Sequence, residues 1–600
     1  MFSKRFRKIA YGLSFLAAGG TPLFSQVDLT GQWAVRLHED WDDRQPGPLP
    51  GDYTGIPIND AARIAADSWD AVSNYLQEHE CKPHILPYMS RAPFPIRIWE
   101  EKNPVTQETV AIKIYYRYRM QLQTIWMDGR PHPSENALHA YMGFSTGKWE
   151  GNSLTVTTSH IKQGWIKRNG LPQSDMTTMV EHFFRNGDLL THVSFVTDPV
   201  YLTEPLVRSE TFVLDPNMRP NWISGCESSK EDVPEGSRRD YVPHYLPGQN
   251  SGLSDFALQV KLPYEAARGG ADTIYPEYQQ RLATLKNAST PNGADILRND
   301  LSRNSPRRFE SPASVPDITV LPVQGNVYML AGAGRNSTIQ IGDDGVFLAD
   351  TQDAQFSDQV LAQIRKLSSL PIRYIFNTSA DPIHSGGNET LSKAGRTLGN
   401  NGTGPATIVS HENVLSAISQ RLAISGPVPE AALPADTFVK EHELFANRDS
   451  IRFIHVPNAH TDGDSIVYFR RSDVLSAGDI FVTTAFPYID VAHGGSLQGI
   501  IDGLDLLLDL AIPGPAEEGG TLIIPGHGRL CDEGDLVEYR DMLVIIRDRI
   551  QSLIKKGATL EQIKAAQPTR DYDLRYGMGA LGGMNTEMFI EAAYKSLIKK

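Results

Sequence analysis

Four polar clusters, each set at the end of an apolar run, constrain this chain more than any other feature. They span Asn377 to Gly387, Asn458 to Asp464, Ala477 to Ile480 and Pro525 to Gly528. The runs leading into them (Ile372 to Phe376, Ile451 to Val456, Val474 to Leu475, Leu522 to Ile524) are dense in Ile, Val, Phe and Tyr. Such runs read as buried strands. Strands that end in loops carrying His384, His460, Asp479 and His527 describe a rigid scaffold with a site on its loops. Imidazole and carboxylate together suit a metal ion, zinc first.

The order and spacing of His460 to Asp464, of Gly478 with Asp479, and of Pro525 to Gly528 resemble the metallo-β-lactamase-fold hydrolases. The resemblance covers roughly residues 317 to 550 and implies an α/β domain built as an αββα sandwich. The family's first motif is His-x-His-x-Asp-His followed by Gly-Gly. Here Ser379, Asp381, Ile383 and His384 occupy its four ligand positions, before Gly386 and Gly387. Carried over by this resemblance, His460 belongs to the first metal, His384 and His527 to the second, and Asp479 bridges them. Asp381 can still ligate through oxygen, Ser379 is a poor zinc ligand, and Ile383 cannot ligate. The expected metal ligands are therefore His384, Asp479 and His527, with His460 and Asp381 as further members. Asp381 and Asp479 are the expected catalytic carboxylates. One zinc ion fits this set better than two, and an added carboxylate makes Mn or Fe the alternatives. In the family the bound metal lowers the pKa of water towards ~7 and so supplies hydroxide. Asp462 and Asp464 are expected to brace the loop or its imidazoles. Cys531, four residues past His527, reads as an ordinary loop thiol rather than a ligand.

The first half has another pattern. Pro95 to Glu101, Val110 to Tyr118, Gln121 to Trp126, Ser153 to His160, Met179 to Phe184, Leu189 to Val196 and Val207 to Leu214 read as strands. Asn186 and Gly187 form a strong hairpin signal. Six or more antiparallel strands without intervening helices predict an all-β domain, a barrel or nearly so. Gly31, Gln32 and Trp33 weakly resemble the Gly-x-Trp of lipocalin-type barrels, although a Trp plugging the end of any β-domain is the commoner explanation. Trp126, Asp128, Arg130, His132, His139, Trp149 and His160 crowd this half, which suits either an enclosed small-molecule pocket or a hydrogen-bonded core. No nucleophile with its base stands out among them.

The organisation expected is a signal peptide at 1–25, an antiparallel β-rich domain at 26–250, a short helix and linker at 251–316, the metallo-β-lactamase-like domain at 317–556 and a helical tail at 557–600. In the second domain Ser357 is expected to cap a helix, and Gly386 with Gly387 to let the first polar loop turn tightly. A basic start from Met1 to Lys8, followed by the apolar stretch Ile9 to Gly20, predicts export to the periplasm or medium. No later segment reaches the roughly 18 apolar residues of a membrane span. The formal charge of −14 argues against nucleic acid as a partner. Export would permit a disulfide between Cys81 and Cys226, though two buried thiols fit as well. His411, His442, His455 and His493 have no spacing argument and are read as structural or surface residues. Two functions follow. The first is an exported metal-dependent hydrolase of a small-molecule ester, lactone, amide or phosphoester. The second is an inactive relative that only binds its ligand, with Ser379, Asp381 and Ile383 marking lost catalysis.

Overall fold

The computed structural model describes residues 27–598 except 37–47, 77, 80, 92–93, 219–239, 283–317, 333, 399–401, 427–428, 515–517 and 580–581. The expected signal segment, most of the expected linker, and Cys226 therefore lie outside the described residues. Cys81 is disulfide-bonded, and Cys531 is free and buried.

Alternating side chains in the first half close into a barrel. Its strands are β1 (Gly31–Val35), β2 (Ile96–Lys102), β3 (Thr109–Tyr116), β4 (Gln121–Trp126), β5 (Phe144–Glu150) and β6 (Ser153–Ser159). A small hairpin, β7 (Gly164–Lys167) with β8 (Leu171–Gln173), interrupts the series before β9 (Thr178–Asn186), β10 (Leu189–Thr197) and β11 (Leu206–Leu214). Nine strands form the barrel, in the order β1-β11-β10-β9-β6-β5-β4-β3-β2. Period-two alternation sends Met179, Glu181 and Phe183 of β9 inward with Leu190, His192, Ser194 and Val196 of β10. Asn186 and Gly187 close that hairpin, with Gly187 at φ +60°. Trp33 is fully buried and donates its indole N–H to the Leu29 carbonyl at 3.0 Å, which makes it a plug at one end.

Two features differ from the sequence reading. The pairing of β4 with β5 is parallel, through Ile125 with Ser145 and Trp126 with Thr146; β5 itself, with Gly147 at its centre, gave no strand signal. Helices also intervene between β1 and β2, including Asp60–Ser68, which Asn59 caps by accepting from the Ala62 N–H and which buries Ala61, Ala62 and Ala66. Alanine faces are weak apolar signals, so the periodicity was hard to see.

The second half forms two sheets. The first runs β12 (Thr319–Gln324), β13 (Val327–Gly332), β14 (Arg335–Gly342), β15 (Gly345–Ala349), β16 (Ile372–Asn377), β17 (Thr407–His411), β18 (Asp436–Phe438), each beside the next. The second contains β19 (Glu441–Ala446), β20 (Asp449–His455), β21 (Ser465–Phe469), β22 (Val474–Val482) and β24 (Leu522–His527); β23 (Phe486–Pro487) pairs instead with β25 (Gly583–Met584). Three apolar layers hold these sheets. Between them, Phe347 and Phe376 meet Phe453 and Phe469, with the Phe376 and Phe453 rings 4.4 Å apart; truncating either ring to Ala costs roughly 3–5 kcal/mol. Outside the first sheet, helix Ser357–Leu367 buries Val360 and Ile364. Outside the second, helices Leu497–Leu510, Glu533–Lys555 and Thr586–Ile598 cover Ile480 and Val482. The result is the expected αββα sandwich.

Local corrections follow from packing. Ser357 is inside its helix and donates its hydroxyl to the Ala354 carbonyl, so Phe356 is the cap residue instead. Gly386 and Gly387 have helical φ and are needed for contact: a Cβ would meet the Pro382 carbonyl oxygen at 2.5 Å and the Thr351 carbonyl oxygen at 2.5 Å, respectively. Buried charges join the two halves. Asp175 of the barrel accepts from both Arg529 and Arg575, at 3.3 and 2.7 Å, and Arg529 also reaches Asp535 at 2.7 Å. Lys162 pairs with Asp532 and, at 3.3 Å, with Asp535.

Candidate metal centre

The sheet topology delivers the polar residues to one place. Strand β16 ends at Asn377 and feeds the turn bearing Ser379, Asp381 and His384, while β20 leads through Val456 into His460. Strands β22 and β24 run parallel, with a register irregularity between Gly478/Pro525 and Val482/His527. That bulge brings Asp479 beside His527. Asp479 is thus inside a strand, not at its end, and the strand continues to Val482 because every residue from Val474 is buried. Gly526 permits the approach, since a Cβ there would lie 2.7 Å from Asp479 Oδ1.

All five expected ligands converge. Ligand atoms of His384, Asp479 and His527 lie within 4.8 Å of one another, as do those of Asp381, His460 and Asp479. Asp479 Oδ2 is 3.0 Å from His384 Nε2, and its Oδ1 is 3.1 Å from His527 Nε2. Asp381 Oδ2 is 3.4 Å from His460 Nε2. The two groups share Asp479.

The tautomers suit a cation. His527 Nδ1 bonds the Gly334 carbonyl, which can only accept, so the proton is on Nδ1 and the Nε2 lone pair faces the cluster. His384 Nδ1 bonds Asp350 Oδ2 at 2.8 Å, again leaving Nε2 towards Asp479. His460 Nδ1 faces Asp464 Oδ1 at 3.3 Å. His384 Nε2, His527 Nε2 and Asp479 Oδ1 are buried without a hydrogen-bond partner. Buried orphaned polar atoms are costly, and three aimed at one another fit a metal ion.

The electrostatics agree. Burial opposes charge on His384, but Asp479 and Asp350 reverse it and hold the imidazole well above its ordinary range. Burial likewise opposes charge on His460, yet Asp464, Asp479 and Asp381 raise it to about 9. Burial would raise Asp479, whereas His384 and His527 hold it well below the carboxylate range. The carboxylates demand positive charge here, which a proton or a metal ion can supply.

Asp464 acts as the expected brace, accepting also from the Thr461 N–H at 2.5 Å, whereas no Asp462 side-chain bond to His460 occurs among the described contacts. Ser379 is buried, and its Oγ accepts from the Asp381 N–H at 3.3 Å. Cys531 belongs to neither ligand group, and its thiol donates to the Arg529 carbonyl at 3.4 Å. His411 caps helix Glu412–Ser425 and stacks on His455 at 3.7 Å. Sequence reasoning missed three contributors: Asp350, the Gly334 carbonyl and Gly582, where a Cβ would meet the His527 ring. Asp350 was findable, since it too follows a buried strand, β15. Asp381, with 38% of its side chain exposed, marks where the otherwise buried cluster opens to solvent.

An αββα sandwich that brings imidazoles and carboxylates together from four separate strands and their loops is the architecture of one class of domain. Residues 322–527 match the sequence profile of the metallo-beta-lactamase superfamily, and the C-terminal domain belongs to it. A curated relative, the linear primary-alkylsulfatase of Pseudomonas sp. (strain ATCC 19151), is 22% identical over 264 residues, covering 37% of this chain and 47% of the relative. The chain thus matches about half the length of that protein. Among solved structures, the stereoselective inverting sec-alkylsulfatase Pisa1 from Pseudomonas sp. aligns at 16% identity and TM-score 0.36, covering 47% of this chain and 50% of that one. A metallo-beta-lactamase from Pontibacter korlensis aligns at 16% identity and TM-score 0.29, covering 38% and 98%.

Proposed function

We propose that the C-terminal domain is a metal-dependent hydrolase of ester-type small molecules, with sulfate esters of alkyl chains the first class to test. The observation that carries this reading is the set of orphaned, mutually facing atoms of His384, Asp479 and His527. The alkylsulfatase relative supports the choice of substrate class.

His384, Asp479 and His527 would hold one tightly bound ion, zinc in preference to Mn or Fe. Asp381 and His460, with Asp479, form a more open second position. When bound, such an ion supplies Lewis acidity and lowers the pKa of a coordinated water. The chain's own residues supply the rest. Asp350 and the Gly334 carbonyl fix the imidazoles of His384 and His527, and Asp464 fixes His460. Asp381, at the exposed edge, is placed to accept a proton from an attacking water as substrate enters. Burial of the other four keeps bulk water out.

The protein is further proposed to be exported, which the disulfide at Cys81 supports. The test of function is turnover of a panel of alkyl sulfate, carboxylate and phosphate esters by metal-loaded protein. Turnover of at least one class, lost in His527→Ala and Asp479→Asn, is expected. A metal-replete protein inactive on all of them would favour the binding-protein reading.

A further inference from the structure

A cavity of about 580 Å³ lies between the barrel and the C-terminal domain, and none of the five candidate metal ligands lines it. Its walls include His139, Ser159 and His160 of the barrel and Gly334, Arg335 and Thr483 opposite. Ser159, the last residue of β6, stands between two imidazoles. Its Oγ is 2.6 Å from His132 Nδ1 and 2.7 Å from His160 Nδ1. The fold creates this arrangement, because His132 arrives from a loop 27 residues away.

Flanking groups decide the tautomers. His160 Nε2 is 3.0 Å from the Ser134 carbonyl, which can only accept, so Nε2 carries the proton. Nδ1 of a neutral His160 is then free to accept the Ser159 O–H. With that hydroxyl proton committed, His132 Nδ1–H must donate to Ser159 Oγ, and His132 Nε2 accepts from the Thr146 hydroxyl at 2.9 Å. Burial, with His160 nearby, holds His132 below the ordinary imidazole range, which keeps it neutral. His160 occupies the left-handed region at φ +57°. The chain is held there by the Ala140 N–H, which donates to the His160 carbonyl at 2.9 Å, while the Lys162 N–H returns to the Ala140 carbonyl at 3.0 Å. Such conformations persist where surroundings over-determine them, and they cluster at functional sites. Ser159, His132 and His160 are all half-buried and so remain reachable.

We propose that Ser159 is a nucleophile with His160 as its general base, forming a second, metal-independent site for acyl transfer from small esters. Ser159 Oγ attacks the carbonyl carbon as its proton passes to His160 Nδ1. The bond from that carbon to the alcohol oxygen breaks, and the oxygen takes the proton from Nδ1, leaving acyl-Ser159. Water then attacks the acyl carbon and gives a proton to Nδ1; the bond to Oγ breaks and Oγ recovers that proton. The balance is ester plus water to acid plus alcohol. The His132 N–H supports developing negative charge on Oγ.

An alkyl fluorophosphonate tests this on the full chain. Oγ attacks phosphorus, fluoride leaves, and the hydroxyl proton goes to His160. Mass spectrometry is expected to find one adduct per chain on the Ser159 peptide, none in Ser159→Ala, and labelling slowed about 100-fold or more in His160→Gln. Both proteins are to be checked for an unchanged circular dichroism spectrum. Labelling should be equal with and without chelator, so its outcome is separate from that of the metal centre. A folded wild-type protein left unlabelled at Ser159, or a rate unchanged in His160→Gln, would show that the cluster only latches the loop around His132 to the barrel.

Discussion

Gly582 packs on the ring face of His527. A Cβ at Gly582 would stand 1.9, 2.2 and 2.4 Å from Nε2, Cδ2 and Cε1. Such near-equal distances place it above the ring, not along the Nε2 lone pair. The tail therefore covers a candidate metal ligand while leaving its donor free. Gly582→Ala must displace either the tail or the imidazole. We predict at least a tenfold loss of metal affinity, measured by competition titration against a chromogenic chelator, beside the roughly 1–2 kcal/mol of strain that a side chain at φ +77° brings. Unchanged affinity would mean that the tail gives way at no cost to the site.

Asp350 accepts from His384 Nδ1 and also from the Thr378 N–H and hydroxyl, at 2.8 and 2.6 Å. It is thus held rigidly while it holds the imidazole. Asp350→Ala should weaken metal binding roughly 10- to 100-fold, the usual effect of losing an outer-shell carboxylate. The same titration checks it, and a change of less than twofold would remove Asp350 from the site.

Asp175 is the single barrel carboxylate bonded to both Arg529 and Arg575 among the described contacts. Arg529 follows the candidate ligand His527 by two residues, and Arg575 belongs to the tail that delivers Gly582. Removing this carboxylate as Asp175→Ala leaves buried cations short of a partner, at a cost of about 3–5 kcal/mol. Urea unfolding measures it. A loss below about 1 kcal/mol would show that Asp535 alone can satisfy Arg529.

Acidification should destabilise the barrel. Burial, aided by Arg119, Arg168 and Lys82, pushes His84 down to about 3; burial, aided by Arg529, does the same for His139. The unfolded chain takes up protons near 6.5 that these folded imidazoles refuse, so stability falls as pH drops below 6.5. Between pH 6 and 5 the two together cost at least about 2 kcal/mol. The raised groups His384 and His460 give their full contribution below 6.5, and so stay silent in that window. Depressed carboxylates such as Asp175 lose theirs only below 3.8. Urea unfolding at pH 6 and 5 reads the loss, to which the lowered His132, His244 and His455 also add, and His139→Gln should reduce it by about 1 kcal/mol; a flat profile would contradict the burial of both imidazoles.

What the sequence revealed was local. His460 with Asp464, Gly478 with Asp479, and His527 with Gly528 are short motifs on buried strands, so residue type and spacing suffice to find them. The αββα order was legible for the same reason, because its strands are continuous apolar runs. Other features depend on distant segments meeting. The Gly334 carbonyl reaches His527 across 193 residues, and backbone groups leave no mark in a sequence. Gly582 lies in the expected helical tail, where nothing in the spacing points towards His527. Ser159 has its proposed base, His160, beside it in sequence, but a Ser-His dipeptide carries no signal until the fold turns Nδ1 onto Oγ and the loop carrying His132 folds back. Helix Leu497–Leu510 was legible and overlooked, since Gln498, Asp502, Asp505 and Asp509 recur at helical spacing among its apolar residues.

The proposed chemistry requires a cation gripped by His384, Asp479 and His527. Crystals of protein purified without chelator, with diffraction collected above and below the zinc absorption edge, test it most directly. One strong anomalous peak is predicted, about 2 Å from both Nε2 atoms and an Asp479 oxygen, and it should vanish in His527→Ala. An ordered site without such a peak, in protein holding well under one equivalent of any transition metal, would contradict the account.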